Sequence, residues 1–250
     1  MTRDPLWLDG LDVLITGGSS GIGRAIARRC VETGAHVHLV ARDATRLVDA
    51  QRELLRACVR PRQEVTWSAC DVTSAEAVEV LFARLQQIGF VSELVVNSAG
   101  IGMPGTYSSL SLDDYERAMQ VHYVGTLRIL DRVIPGMVER GRGDILNIGS
   151  IAALLGVYGL SAYCASKFAI RGFTESLRYE LKPHGVSVSL LCPPDTETPH
   201  AGGRGHARAS CHRRLDGARR LDVGRSSGAC RSRGPSAPPA SDHSGTGRQS

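Results

Sequence analysis

No apolar run in this chain approaches the roughly 20 consecutive residues that a membrane-crossing helix needs, so the sequence reads as that of a soluble protein. The opening, MTRDPLWLDG, has no apolar stretch of signal-peptide length; export is not expected, and a cytoplasmic location is. The seven cysteines (Cys30, Cys58, Cys70, Cys164, Cys192, Cys211 and Cys230) form no CxxC pair and have no histidine at metal-ligand spacing. That pattern speaks against both a disulfide framework and a zinc site, and no metal is expected. A basic surface for nucleic acid is also missing. From His200 onward, ten arginines against three aspartates give +7, so the first 199 residues carry −2 of the overall +5. The arginine-rich stretch has no aromatic residue on which a base could stack. No internal repeat is evident.

What is present is a β–α rhythm. Apolar strands are predicted near 11–16, 36–41, 64–70, 93–97, 143–149 and 185–192, with helices near 21–33, 43–58, 74–88, 111–138 and 160–182. The strands VHLV, ELVVN and VSVSLL read as apolar on both faces, as strands covered by helices on two sides must be. At 250 residues and 42% apolar content, one α/β domain with a doubly wound parallel sheet of Rossmann type is expected.

The segment DVLITGGSSGIG, residues 12–23, runs from a strand through a glycine turn into a helix. A diphosphate needs backbone N–H donors at close range and a helix N-terminus behind them. Gly17, Gly21 and Gly23 leave room for that approach, with Ser19, Ser20 and Ile22 between them. The spacing is Gly-x-x-x-Gly-x-Gly, not the commoner Gly-x-Gly-x-x-Gly. After the second strand, a site selecting NAD would place a carboxylate against the ribose 2′-hydroxyl. Here the chain reads Ala41-Arg42, which favours NADP(H), because the Arg42 guanidinium can pair with a 2′-phosphate.

A second group of residues lies downstream. Tyr163 and Lys167 are four apart on a predicted helix and share one face. An ordinary phenol, with a pKa near 10, is a poor acid or base at neutrality, but a lysine ammonium one turn away favours the phenolate. Ser150, at the carboxyl end of the fifth strand, is placed to hold a carbonyl oxygen near the phenol.

From Val13 to Pro199 the chain resembles the short-chain dehydrogenase/reductase family. The likeness rests on TGGSSGIG at 16–23, Asp71-Val72 after the third strand, NSAG at 97–100, Ser150, and YCASK at 163–167. The resemblance implies hydride transfer with a nicotinamide cofactor. Tyr163 would be the general acid in reduction, Lys167 would bind the nicotinamide ribose and tune the tyrosine, and Ser150 would position the substrate oxygen. Asp71 and Val72 would face the adenine, while Asn97, Ala99 and Gly100 would line the cofactor cleft and brace the sheet. Within the family, CPPDTETP at 192–199, with Pro193 among its cofactor-side residues, resembles the 3-ketodihydrosphingosine reductases, as do ASKFAIRGF at 165–173 and Tyr123-Val124-Gly125. The implied substrate is a small ketone of lipid-like character, so peripheral work at a membrane surface is expected. Relatives commonly pair through the helices near 111–138 and 160–182, which implies a homodimer or homotetramer.

Two departures stand out. His122 occupies the place where the resemblance implies an asparagine of the catalytic tetrad, which helps to hold a water linking the lysine to solvent; a weakened proton relay in an intact fold is expected. Residues 200–250 lose all periodicity and read as a disordered Arg/Gly/Ala/Ser/Pro tail behind a domain spanning 1–199. That tail reads as a basic arm, an inert extension or sequence translated out of frame, and its abrupt onset favours the last. If it is disordered, the seventh strand and substrate cover implied by the resemblance are absent and the sixth strand's edge is exposed. A dinucleotide-binding protein without catalysis, or an inactive product, is then the alternative to a ketone reductase.

Overall fold

A computed structural model of the chain describes residues 7–194. Residues 195–250, with the expectations attached to them, lie outside the described residues. The elements alternate without exception through the first half: β1 (Asp12–Thr16), α1 (Gly21–Glu32), β2 (His36–Ala41), α2 (Ala44–Leu55), β3 (Val65–Ala69), α3 (Ala75–Gln87) and β4 (Leu94–Asn97). The second half adds α4 (Leu112–Met119), α5 (Gly125–Arg140), β5 (Gly143–Ile148), α6 (Ser161–Leu181) and β6 (Val186–Leu191). All pairings are parallel and the strand order is β3-β2-β1-β4-β5-β6. This is the doubly wound sheet expected from the β–α rhythm.

The two-residue period of the strands divides their side chains between two cores. Val13, Ile15, Val37 and Leu39 face α1 and α2, where Ala27, Val31, Leu47 and Leu54 meet them. Leu14, Val40, Val95 and Ile145 face the opposite side, against Leu81 of α3, Ile129 and Met137 of α5, and Leu177 of α6. Helix starts follow local chemistry: Asp43 and Ser74 accept the N–H of Arg46 and Ala77, and Ser111 with Asp114 forms a reciprocal capping box on α4.

Two expectations need correction. VSVSLL is not apolar on both faces, because Ser187 and Ser189 are exposed. Among the described residues β6 is the outer strand beyond β5, and one of its faces lacks the cover that β1 and β4 have. The helix expected over 111–138 is likewise not one regular helix: Gln120–Val124 forms a π-turn between α4 and α5, and His122 sits at its centre. Such wide turns concentrate where a helix must re-aim a side chain.

Candidate active site

The strand order reverses between β1 and β4, and the crevice at their carboxyl ends is where an open α/β sheet admits a ligand. Glycine is obligatory there for a reason local spacing does not disclose. Gly17 has φ +67°, and a Cβ on it would stand 2.6 Å from the Ser98 carbonyl oxygen; one on Gly23 would stand 2.5 Å from the carbonyl oxygen of Gly17. The glycines thus let the turn after β1 nest against the end of β4. Thr16 Oγ1 completes the nest by accepting the N–H groups of Ser98 and Ala99 at 3.0 and 3.1 Å.

A cleft beside this nest, open to solvent, has a cavity volume of about 120 Å³. Gly17, Ser19, Ser20, Arg42, Asp71 and Val72 are among its lining residues. Ala99 and Gly100 line it as well. Asp71 is held by accepting the Thr73 N–H and hydroxyl at 2.9 and 2.8 Å. Asn97 lies deeper than expected. It is only 4% exposed, and its Nδ2 donates to Asn147 Oδ1 at 2.9 Å across the β4–β5 register, with Asn147 donating in turn to Thr174 of α6. Through that bond it braces β4 against β5. Gly21, Ile22 and Gly23 shape the turn from behind.

The candidate catalytic residues gather at the end of β5. Lys167 is 6% exposed, and its Nζ donates to the Ile148 carbonyl at 2.9 Å. Burial lowers its ammonium to about 8. The same Nζ lies 5.7 Å from the centre of the half-buried Tyr163 ring. Ser150 begins two residues beyond the carbonyl that holds Lys167, and its Oγ accepts the Ala152 N–H at 3.1 Å. Pro193 joins this neighbourhood through its carbonyl, which accepts the Ile151 N–H at 3.3 Å. The structure therefore brings the strand end carrying Ser150, the helix carrying Tyr163 and Lys167, and the loop after β6 to one place.

His122 touches this group directly. Its ring meets that of Tyr163 edge-to-face, with centroids 5.4 Å apart. The Ile101 N–H donates to Nε2 at 3.0 Å, which leaves the ring proton on Nδ1, paired with Ser166 Oγ at 2.7 Å. The Ser166 hydroxyl then donates to the Tyr163 carbonyl at 2.7 Å. Ser166, fully buried, was not among the residues read from sequence, and its place inside the YCASK motif was the available signal. Asp43 and Arg46, which also line the cleft, were missed because they follow the strand end instead of forming it. Of the described cysteines, Cys30 and Cys70 are pushed by burial up to about 12 and about 11, away from thiolate chemistry.

A family model for short chain dehydrogenases matches residues 12–209. The chain belongs to the short-chain dehydrogenase family. It is 38% identical over 197 residues to a 3-dehydrosphinganine reductase of Danio rerio and 39% identical over 196 to a 3-ketodihydrosphingosine reductase of Mus musculus. In both cases 78% of the chain aligns with 59% of the relative, so this short-chain dehydrogenase spans about three fifths of the length of those curated relatives. Among solved structures it is similar to an actinorhodin polyketide ketoreductase with NADPH, with TM-score 0.73 and 34% identity over 78% of this chain and 74% of that one. A xylitol dehydrogenase bound to NAD+ is similar too, with TM-score 0.70 and 28% identity over 75% and 71% of the two chains. One fold thus accompanies either cofactor, and the choice has to come from side chains around the ribose. The residues present fit a nicotinamide dinucleotide. A Cβ at Gly17 or Gly23 would collide with backbone, so the turn stays close to the end of β4, and Ser19, Ser20 and Arg42 line the cleft beside it.

Proposed function

We propose that this chain is an NADPH-dependent oxidoreductase that reduces a lipid-like ketone of the 3-ketodihydrosphingosine type to a secondary alcohol. The observation that carries this reading is the buried Lys167, tied to the Ile148 carbonyl and set against the Tyr163 ring. When bound, the reduced nicotinamide supplies a hydride to the carbonyl carbon. The Tyr163 phenol gives its proton to the carbonyl oxygen, which Ser150 holds in place. Lys167, whose proton exchanges near neutrality because burial lowers its pKa to about 8, supports the phenol from below.

Arg42 in the cleft lining supports NADP(H) over NAD(H). The lipid character of the substrate is supported by the relatives' names and by the apolar margin beyond Ser150. There Ile151, Leu154, Leu155 and Tyr158 are 40–55% exposed, as suits an acyl chain entering from a bilayer surface. No helix among the described residues is long and apolar enough to cross a membrane, and the working place proposed is cytoplasmic, at a membrane surface. Pairing of two or four copies through the faces of α4, α5 and α6 is part of the same proposal, and sedimentation of the purified chain measures it.

The test is NADPH oxidation with 3-ketodihydrosphingosine in detergent micelles. Turnover in the wild type and its loss by at least about a hundredfold in Tyr163→Phe, the scale of general-acid catalysis, is the expected result. Ketone-dependent oxidation persisting in the variant overturns the assignment of Tyr163. Cofactor binding without turnover in the wild type supports the binding-only alternative.

A further inference from the structure

Asp43 is an acid that the strand-end reading places outside the ribose site, yet it lines the cleft next to Arg42. Its carboxylate is engaged twice. Oδ1 accepts the Arg46 N–H at 3.1 Å, capping α2, and Oδ2 lies 3.5 Å from Arg46 Nε. Arg46 lines the same cleft one helical turn on and meets Asp43 through Nε. The cleft lining thus holds two guanidinium groups, Arg42 and Arg46, with Asp43 between them in sequence, and a second acid, Asp71, from the end of β3. An uncompensated carboxylate there would accept a ribose 2′-hydroxyl and repel a 2′-phosphate, which is the NAD-type arrangement.

We propose that Arg46 is a cofactor-specificity residue, masking Asp43 and supplying a second guanidinium beside Arg42 for the 2′-phosphate. This rests on the NADP(H) reading above and goes further. Preference for the phosphorylated ribose is carried by the Asp43–Arg46 pair, and the chain holds a latent NAD-type acid that becomes active when Arg46 is removed. Both side chains are about half exposed, so the pair itself contributes little to stability. Its effect is read in ligand selection, where a phosphate meets either a cation or an anion.

The experiment is calorimetric titration of the full chain with adenosine 2′,5′-bisphosphate and adenosine 5′-phosphate, which differ only in the 2′-phosphate. Arg46→Ala keeps a good helix former on α2, and Asp43→Asn keeps the cap. The wild type is expected to prefer the bisphosphate. Arg46→Ala is expected to cut that preference by roughly tenfold or more, the scale of a lost charge-assisted contact. Adding Asp43→Asn to Arg46→Ala is expected to restore at least about threefold of the bisphosphate affinity, because the unmasked anion is gone. An unchanged preference in Arg46→Ala, or a double variant binding no more tightly than the single, overturns the inference while leaving the NADP(H) reading standing. A wild type with no preference for the bisphosphate overturns that reading, and this inference with it. Melting curves of the variants at wild-type temperatures establish that binding changes are not folding failures.

Discussion

At the scale of single residues, His122 carries the sharpest question. Its ring is engaged on both sides, by the Ile101 N–H and by Ser166, and its backbone carbonyl accepts the Thr126 hydroxyl at 2.8 Å. Those bonds make the imidazole a strut between the loop after β4 and the helix that carries Tyr163 and Lys167. A residue so committed is a poor holder of a mobile water. His122→Asn is therefore expected to raise turnover while lowering the melting temperature, since it gives up a buried strut worth about 1–2 kcal/mol. Steady-state rates and a thermal melt on one preparation check both signs, and no gain in turnover would show that the imidazole serves the reaction as well as asparagine. Tyr163, Lys167 and Ser150 were legible in the sequence because their spacing is local. Ser166 was not, because its partner His122 comes from a distant segment, and Asp43 was not, because its pairing with Arg46 at the start of α2 gives no sign of the cleft beside it.

At the scale of elements, β2 and β3 carry a buried polar pairing that the apolar reading of VHLV passes over. His38 is fully buried, with Nδ1 2.7 Å from Thr66 Oγ1, Nε2 3.0 Å from Ser68 Oγ, and its ring tilted against Phe90. Burial, with the nearby Arg84 charge as a smaller cause, lowers its pKa to about 4 from 6.5. Between those values the unfolded chain takes up a proton that the folded chain refuses, so this contribution is complete above pH 6.5 and is lost as pH falls toward 4. The amount is on the order of 3 kcal/mol. Urea unfolding of the wild type is expected to weaken steadily over that window, and His38→Gln, which has no proton to take up, is expected to flatten the slope. An unaltered slope in the variant would place the acid sensitivity elsewhere.

At the scale of the whole molecule, the expected behaviour is a cooperative melt that a cofactor raises. At a hundredfold excess over its dissociation constant, NADPH adds about 2.7 kcal/mol, which moves the midpoint by roughly 5–10 °C for a chain of this size. NADH is expected to move it less, given Arg42 and Arg46 at the cleft. A melt that responds to neither would mean that the nest and the reactive residues do not assemble into a working site. The sequence alone determined the β–α rhythm, the parallel sheet, the glycine turn and the Tyr163–Lys167 pair, because each depends on neighbours within a few residues: strand period, helix face, turn chemistry. Only the tertiary structure decided that Gly17 and Gly23 are required by backbone packing, that Asn97 pairs with Asn147, that a π-turn sets His122 against Tyr163, and that Asp43 and Arg46 line one cleft. Those facts depend on which strand ends lie side by side, and the reversal of strand order between β1 and β4 sets that arrangement through contacts some 80 residues apart.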